Sequence, residues 1–309
     1  MKANGTRKEV LVTGVSGFIG GALARYLLQQ GYGVAGTTRS GVEDPGLTGL
    51  AVHKFDLLHP ETGGLELEKI DVIVHCAAFT SERPVGLAVA RQANVVGTKV
   101  LLEAARASGV RRFVYLSSMS AHSGNPSVYA RLKLETEGLV ASMPGIEWAI
   151  ARPGLVIGMS ARGMFHKMRS IMGERKLVPT IAGPNALSTV YIDDLCEVLE
   201  RTMGAPDANH RAFDVCAEER LEFSDIVQAI AHGQGRRVVT IPLPKLVALV
   251  IAHSTGWLRN PPVTADNVYG ISEARSGDTQ FVREILGMRL RALDDSVHLS
   301  MLAQEVAIR

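Results

Sequence analysis

The stretch VLVTGVSGFIG, residues 10–20, confines this chain more tightly than any other. Three β-favouring apolar residues and Thr13 lead into Gly14, Gly17 and Gly20 at intervals of three, and then into a segment of helical period that Gly31 stops. Strand, glycine turn and helix in that order make a specific device. A turn without Cβ atoms lets the backbone approach a bound anion closely. The helix start offers unpaired N–H groups, here near Phe18 and Ile19, and the positive end of its dipole. A glycine triplet alone is weak in a chain with 31 glycines; the strand before it and the helix after it give it weight. Gly14, Gly17, Phe18, Ile19 and Gly20 are therefore expected to hold the pyrophosphate of a dinucleotide.

Beyond the turn, short β-rich runs alternate with longer helical ones. Strands are expected at 10–12, 33–38, 50–55, 72–74, 112–116 and 148–154, and helices at 18–30 and across VGLAVARQANVVGTKVLLEAARASG, which Gly109 ends. Near-continuous apolar strands alternating with helices indicate a parallel sheet covered on both faces. The fold class read from this is α/β, a Rossmann-type doubly wound parallel sheet with a smaller mixed C-terminal substrate lobe. The regularity declines after ARPG: residues 158–183 are rich in Gly, Met and basic side chains, with Pro179 and Pro184 expected to break them. A short strand at 213–215, a helix at 223–231, two proline-flanked helices after Ile241 and a last segment at 279–286 follow. The dinucleotide-binding domain is assigned to residues 1–157 and roughly 186–217, and the lobe to 158–185 and 218–309.

Composition narrows the partners. A formal net charge of +2 over the whole chain gives no footprint for nucleic acid or an anionic membrane, so a small-molecule substrate is expected instead. Cys76, Cys196 and Cys216 lie far apart without CxxC or Cys/His spacing, which suits buried thiols in a reducing compartment and no metal site. The N-terminal apolar run is too short for a signal peptide, and the longest apolar stretch, residues 246–252, falls far below the ~20 residues a membrane span needs. The chain reads as cytoplasmic.

Nineteen positions beyond Gly20, where an acidic residue would hold the ribose 2′-hydroxyl of NAD, stands Arg39. A guanidinium there suits the 2′-phosphate of NADP, with NAD as the second choice; a solvated loop arginine is the plain alternative.

SSMSAHSGNPSVYARLK, residues 117–133, sets Tyr129 and Lys133 four apart, hence on one face of a helix. Of the six tyrosines only Tyr129 has this partner. An ammonium beside a phenol favours the ionised phenol, which makes it usable for acid–base work near neutrality. A serine at the end of the preceding strand would hold the substrate oxygen.

Eight motifs in order carry a resemblance: TGVSGFIG, FDL at 55–57, HCAA at 75–78, NVVGT at 94–98, YLSS at 115–118, YARLK at 129–133, ARPG at 151–154 and YIDDL at 191–195. The chain resembles the extended short-chain dehydrogenase/reductases, the NAD-dependent epimerase/dehydratase family. The resemblance implies that Asp56 and Leu57 lie beside the adenine, Ala77 and Ala78 against its ribose, and Asn94 and Pro153 at the cofactor. It further implies Ser118 as the oxygen-binding residue, with Ser117 turned away and Ser120 a weaker candidate. Tyr129 is implied as general acid/base and Lys133 as the residue that also binds the nicotinamide ribose. Ser118 and Tyr129 would thus touch the substrate, and a homodimer through the long helices of the first half is expected. His122 is read as a solvated loop residue or a substrate contact, and Asp193 and Asp194 as a cap or salt bridge.

Two departures stand out. Tyr129 follows Ser118 by only eleven positions, which shortens a loop that often covers substrate, and Met119 replaces the Asp-Glu pair of sugar 4,6-dehydratases, which disfavours dehydration. The expected activity is hydride transfer at a carbonyl or carbinol carbon, by a nucleotide-sugar ketoreductase or epimerase. Arg162, His166, Lys167, Arg169, Arg175 and Lys176 would clamp a diphosphate, unless they form a wet face. Two alternatives remain open: a non-catalytic dinucleotide sensor or assembly subunit, against which the complete Ser/Tyr/Lys set speaks, and a sterol or hydrophobic-alcohol dehydrogenase working at a membrane surface, to which LPKLVALVIAHSTGWL would lend an amphipathic helix unless that helix simply packs the small lobe.

Overall fold

The computed structural model describes residues 8–41, 49–61, 64–80, 86–158, 165, 168, 176–183, 186–258, 261 and 263–308. Seven parallel strands form one sheet in the order β10-β6-β5-β4-β1-β2-β3. They are β1 (Glu9–Thr13), β2 (Gly33–Thr38), β3 (Ala51–Lys54), β4 (Val72–His75), β5 (Arg112–Leu116), β6 (Glu147–Pro153) and β10 (Arg211–Val215). Side chains alternate across a strand, so each apolar run feeds two cores. Val10 and Val12 pack with Leu23, Leu27, Leu195 and Leu199 on one face, while Leu11 packs with Ile73, Leu101, Phe113 and Ile150 on the other. Both faces being covered is why these strands read as continuous hydrophobic stretches rather than alternating ones. Each fully buried Leu or Ile contributes ~1.5–3 kcal/mol of transfer free energy.

The covering helices are α1 (Phe18–Gln29), α2 (Leu87–Arg91), α3 (Thr98–Ala107), α4 (Val128–Ser142) and α5 (Ile192–Gly204). The single helix expected before Gly109 is interrupted: a π-helical turn, Gln92–Gly97, joins α2 to α3. Gly97 sits so near the Leu57 carbonyl that a Cβ there would lie 2.4 Å from its oxygen, and the wider turn holds the backbone in that position.

The order of the strands reverses between β1 and β4, which opens a crevice beyond their carboxyl ends. Past β6 the chain makes two small parallel pairs, β7 (Leu155–Ile157) with β9 (Thr189–Tyr191) and β8 (Leu177–Ile181) with β11 (Val239–Leu243). Pro179 does not break the chain as expected but lies within β8. A two-stranded ribbon leaves one edge of each strand unpaired, so a missing N–H is tolerated there. Helices α6 (Phe223–Gly233), α7 (Lys245–Thr255), α8 (Ala265–Ser272) and α9 (Leu293–Ile308) complete the fold. A separate core of Ile157, Ile226, Ile230, Leu293 and Val297 holds α6 and α9 together. Most of the expected diphosphate clamp, Arg162, His166, Lys167, Arg169 and Arg175, lies outside the described residues, and Lys176 is exposed.

Candidate active site

The glycine turn closes on itself for steric reasons. Gly14 adopts a left-handed φ of +72°, and a Cβ on it would lie 2.9 Å from the Cα of Ala77. A Cβ on Gly20 would lie 2.4 Å from the Gly14 carbonyl oxygen, so the first turn of α1 seats on the loop only because that position is bare. The Gly17 N–H donates to the Gly14 carbonyl at 2.8 Å, and no side chain caps α1. The helix start is therefore available to an anion. These features fit a dinucleotide pyrophosphate.

A cleft of about 510 Å³ lies over this turn at the strand-order reversal. Gly14, Gly17, Phe18, Ile19, Gly20, Arg39, Asp56, Leu57, Ala77, Ala78, Ser118, Tyr129 and Pro153 all line it. Asn94 and Lys133 do not; both stand behind the wall. The Asn94 side chain accepts the Phe79 N–H at 2.7 Å and donates to the Phe79 carbonyl at 2.8 Å, pinning the segment after β4 rather than facing the cleft. Arg39 is exposed at the cleft rim just past β2, and Asp56 is the one carboxylate among the described lining residues. One Asp56 oxygen accepts the Leu58 N–H at 3.1 Å.

The HCAA motif works from within. His75 is buried, with Nδ1 2.8 Å from the Thr13 hydroxyl and Nε2 2.9 Å from that of Thr98, while the Thr13 oxygen accepts the Ala77 N–H at 3.0 Å. The chain is satisfied when Thr13 donates to Nδ1 and the Nε2 proton goes to Thr98. Burial pushes the imidazole down to about 3, so it stays neutral. It braces β1, β4 and α3 directly beneath the cleft. Neighbouring Cys76 lines the cleft, but burial raises its thiol to about 12, outside the nucleophilic range.

Ser117 and Ser118 part company as the alternation of a strand end requires. The Ser117 hydroxyl turns inward and donates to Glu137 at 2.5 Å, a carboxylate that also pairs with Arg152 at 2.5 and 2.9 Å. Ser118 opens into the cleft, its oxygen accepting the Ser120 N–H at 3.1 Å. Helix α4 begins at Val128 because Ser127 caps it, accepting the Ala130 N–H at 3.1 Å. A second carboxylate reaches the same helix end from α8: Asp266 accepts the Val128 N–H at 3.0 Å and the Tyr129 N–H at 3.3 Å. One turn along α4, Lys133 is buried, donating to the Leu116 carbonyl at 2.7 Å, with its Nζ 4.7 Å from the centre of the Tyr115 ring and 6.0 Å from that of Tyr129. Burial lowers this amine from 10.5 to about 8, opposed by Cys76 and Glu137.

Leu155, Phe165 and Leu187, which share a cluster with Phe18 beside the glycine turn, join Met119 and Val156 in an apolar wall of the cleft. Arg275 is its cation, gripped by the buried Asp214 through two bonds of 2.6 and 2.7 Å. His122 is half-buried and outside the cleft lining; its Nε2 lies 2.9 Å from the Glu273 carbonyl oxygen. Asp194 pairs with Arg291, and among the described residues no three His, Cys, Asp or Glu side chains gather to hold a metal ion. Sequence reasoning missed Asn267, which caps its own helix with Thr264, and Asp266 and Arg275, whose places at the site depend on contacts more than 60 residues away in the chain, with no local spacing to signal them.

The chain is similar to known proteins in sequence and fold. The chain is 26% identical over 263 residues to UDP-glucose 4-epimerase of Vibrio cholerae, covering 77% of this chain and 79% of that protein. It is 30% identical over 260 residues to 3 beta-hydroxysteroid dehydrogenase/Delta 5-->4-isomerase of Mycobacterium tuberculosis, covering 74% and 70%. Its fold matches that of a short-chain dehydrogenase/reductase superfamily protein from Agrobacterium tumefaciens solved with bound NAD, at a TM-score of 0.72 and 20% identity over 97% of this chain and 98% of that one. Residues 10–216 match the model of the NAD dependent epimerase/dehydratase family. With the glycine turn, the sheet order and this match in agreement, the chain belongs to the NAD-dependent epimerase/dehydratase family, among the extended short-chain dehydrogenase/reductases.

Proposed function

We propose that the protein is an oxidoreductase acting at a carbonyl or carbinol carbon of a hydrophobic substrate, with NADP(H) as its preferred cofactor. The observation that carries this reading is the meeting of the Gly14 turn with Ser118 and Tyr129 in one cleft. The backbone of residues 14–20 would hold the pyrophosphate, Asp56 and Ala77 the adenosine end, and Arg39 the 2′-phosphate. When bound, the nicotinamide supplies or accepts a hydride at the reacting carbon.

The chain's own groups manage the oxygen. Ser118 orients it and Tyr129 moves its proton: in reduction the phenol donates to the oxygen as the carbon gains hydride, and in oxidation the phenolate takes the proton back. Lys133, buried behind Tyr129, sets a positive charge near the phenol ring that stabilises charge appearing there as the proton leaves. Of the lobe expected at 158–185 and 218–309, Phe165, Asn267, Gly270, Ala274 and Arg275 line the cleft, beside Met119, Leu155, Val156 and Leu187 from outside it.

The apolar wall and the similarity to a steroid dehydrogenase favour a hydrophobic substrate. A nucleotide-sugar substrate, reduced or epimerised, is the second reading, favoured by Arg275 in the cleft and by the similarity to UDP-glucose 4-epimerase. Calorimetry with NADPH and NADH, followed by turnover on sterols, long-chain ketones and UDP-sugars, decides between them. Turnover of UDP-sugars alone would reject the hydrophobic substrate, and failure to bind either dinucleotide would reject the whole reading.

A further inference from the structure

Helix α7 is built inside out. Its small residues, Ala248 and Ala252, face inward onto Val268, with Ile181 and Val263 alongside. Of its large ones Leu249 packs on the same cluster, but the others face solvent: Leu246 is 74% exposed and Val250 60%, with Val247 and Ile251 beside them. Trp257, just past the helix, is 82% exposed. A helix apolar all round is ordinarily buried all round. This one leaves a stripe of Leu246, Val250 and Trp257 at helical spacing with nothing from the described residues covering it.

Its polar groups are silenced. Ser254 donates to the Val250 carbonyl at 2.6 Å, Thr255 to that of Ile251 at 2.8 Å, and the Trp257 indole N–H to that of Ser254 at 2.9 Å. His253 Nδ1 lies 2.7 Å from the Leu249 carbonyl oxygen. Every hydrogen-bonding side chain of the last turn thus turns back onto the helix, and the outward face is apolar in chemistry as well as composition. The neighbouring ribbon adds to it, since Leu177 and Pro179 of β8 stand in register with Val239 and Ile241 of β11 and all four are exposed.

The segment that carries this surface has charge of one sign: residues 226–258 contain no Asp or Glu but three cations, Arg236, Arg237 and Lys245. Lys245 is answered by Glu273, whereas Arg237 and Lys176 are exposed at the two ends of the ribbon's first register pair. At 11 residues α7 is far too short to cross a bilayer, and no helix among the described residues is long and apolar enough to do so. An apolar stripe with an outward tryptophan, on a segment with cations and no carboxylate of its own, has the chemistry of a helix lying in the interface of an anionic membrane.

We propose that α7 and the β8–β11 ribbon dock the protein reversibly on anionic phospholipid bilayers. The proposal does not depend on which substrate the cleft takes. Its test is sedimentation of the full chain with vesicles of phosphatidylcholine alone and of phosphatidylcholine with 30% phosphatidylglycerol, at 0.1 and 0.5 M salt. Expected are pelleting with the anionic vesicles, weaker pelleting at high salt, a blue shift of tryptophan emission that Trp257→Phe abolishes, and at least a tenfold loss of binding in Val250→Glu. Because both side chains are solvent-facing, the variants should keep the melting temperature of the parent. Equal binding by Val250→Glu, or no binding to either vesicle, overturns the proposal. So does a dimer in light scattering without lipid that Val250→Glu splits, since the surface would then belong to a second copy of the chain.

Discussion

The Tyr129 backbone N–H donates to the Asp266 carboxylate at 3.3 Å, across 137 positions of sequence. Because the other Asp266 oxygen takes the Val128 N–H, one side chain from α8 fixes the first turn of the helix that aims the phenol. Asp266→Ala should cost ~1–3 kcal/mol of local ordering. Turnover is expected to fall about tenfold or more while dinucleotide affinity stays within about twofold, because the glycine turn is untouched. Asp266→Asn keeps one acceptor and should recover part of the loss. Steady-state kinetics beside calorimetry check this; a parallel loss of cofactor binding would mean general destabilisation instead.

Tyr129→Phe removes the hydroxyl proposed to carry the proton and leaves the ring in place. General acid–base catalysis is worth ~10²- to 10⁴-fold, so turnover should fall by that much with cofactor affinity nearly unchanged. Full activity in this variant would end the mechanism.

The proposed preference for NADP(H) rests on Arg39. A charge-assisted bond contributes ~1.5–3 kcal/mol, so Arg39→Ala should weaken NADPH roughly ten- to a hundredfold and leave NADH nearly as it was. Tighter binding of NADH than NADPH by the parent protein would reassign the residue to solvent.

Lys133 ties stability to pH. Its folded value, about 8, lies below the ordinary 10.5, so between those values the unfolded chain binds more protons than the folded one. Stability from this group therefore rises with pH from about 8 to 10.5 and its penalty is fully present below about 8. Lys133→Met should flatten that part of the profile in denaturant unfolding followed across the range, apart from any loss of activity.

His75 behaves alike at lower pH. Burial depresses its imidazole from 6.5 to about 3, and the stability it carries as a neutral brace is lost as pH falls through that window. His75→Gln, which cannot gain a proton, should be less stable near neutrality but lose less on acidification; a parallel profile would contradict the neutral brace.

The half of the chain that holds the glycine turn was legible because its strands are buried on both faces, so Val10-Leu11-Val12 and Arg112–Leu116 announce themselves without neighbours. Tyr129 and Lys133 were legible because a helix turns local spacing into a shared face. The rest depends on contacts that spacing does not encode. Pro179 reads as a breaker until β11 is found beside it, and α7 reads as an ordinary packing helix until its alanines prove to be the inner face. Asp266 carries no signal at all, since its partners belong to another element.

The π-helical turn at Gln92–Gly97 has a consequence for how this wall of the cleft tolerates change. Asn94 lies within it and latches Phe79; Thr98 lies just past it and latches His75. The two latches are phased by one surplus residue, so deleting a single position between them would tighten the spiral and rotate one latch away from its partner. Length is therefore guarded here more strictly than side-chain identity, and a substitution should be forgiven where a shortening is not.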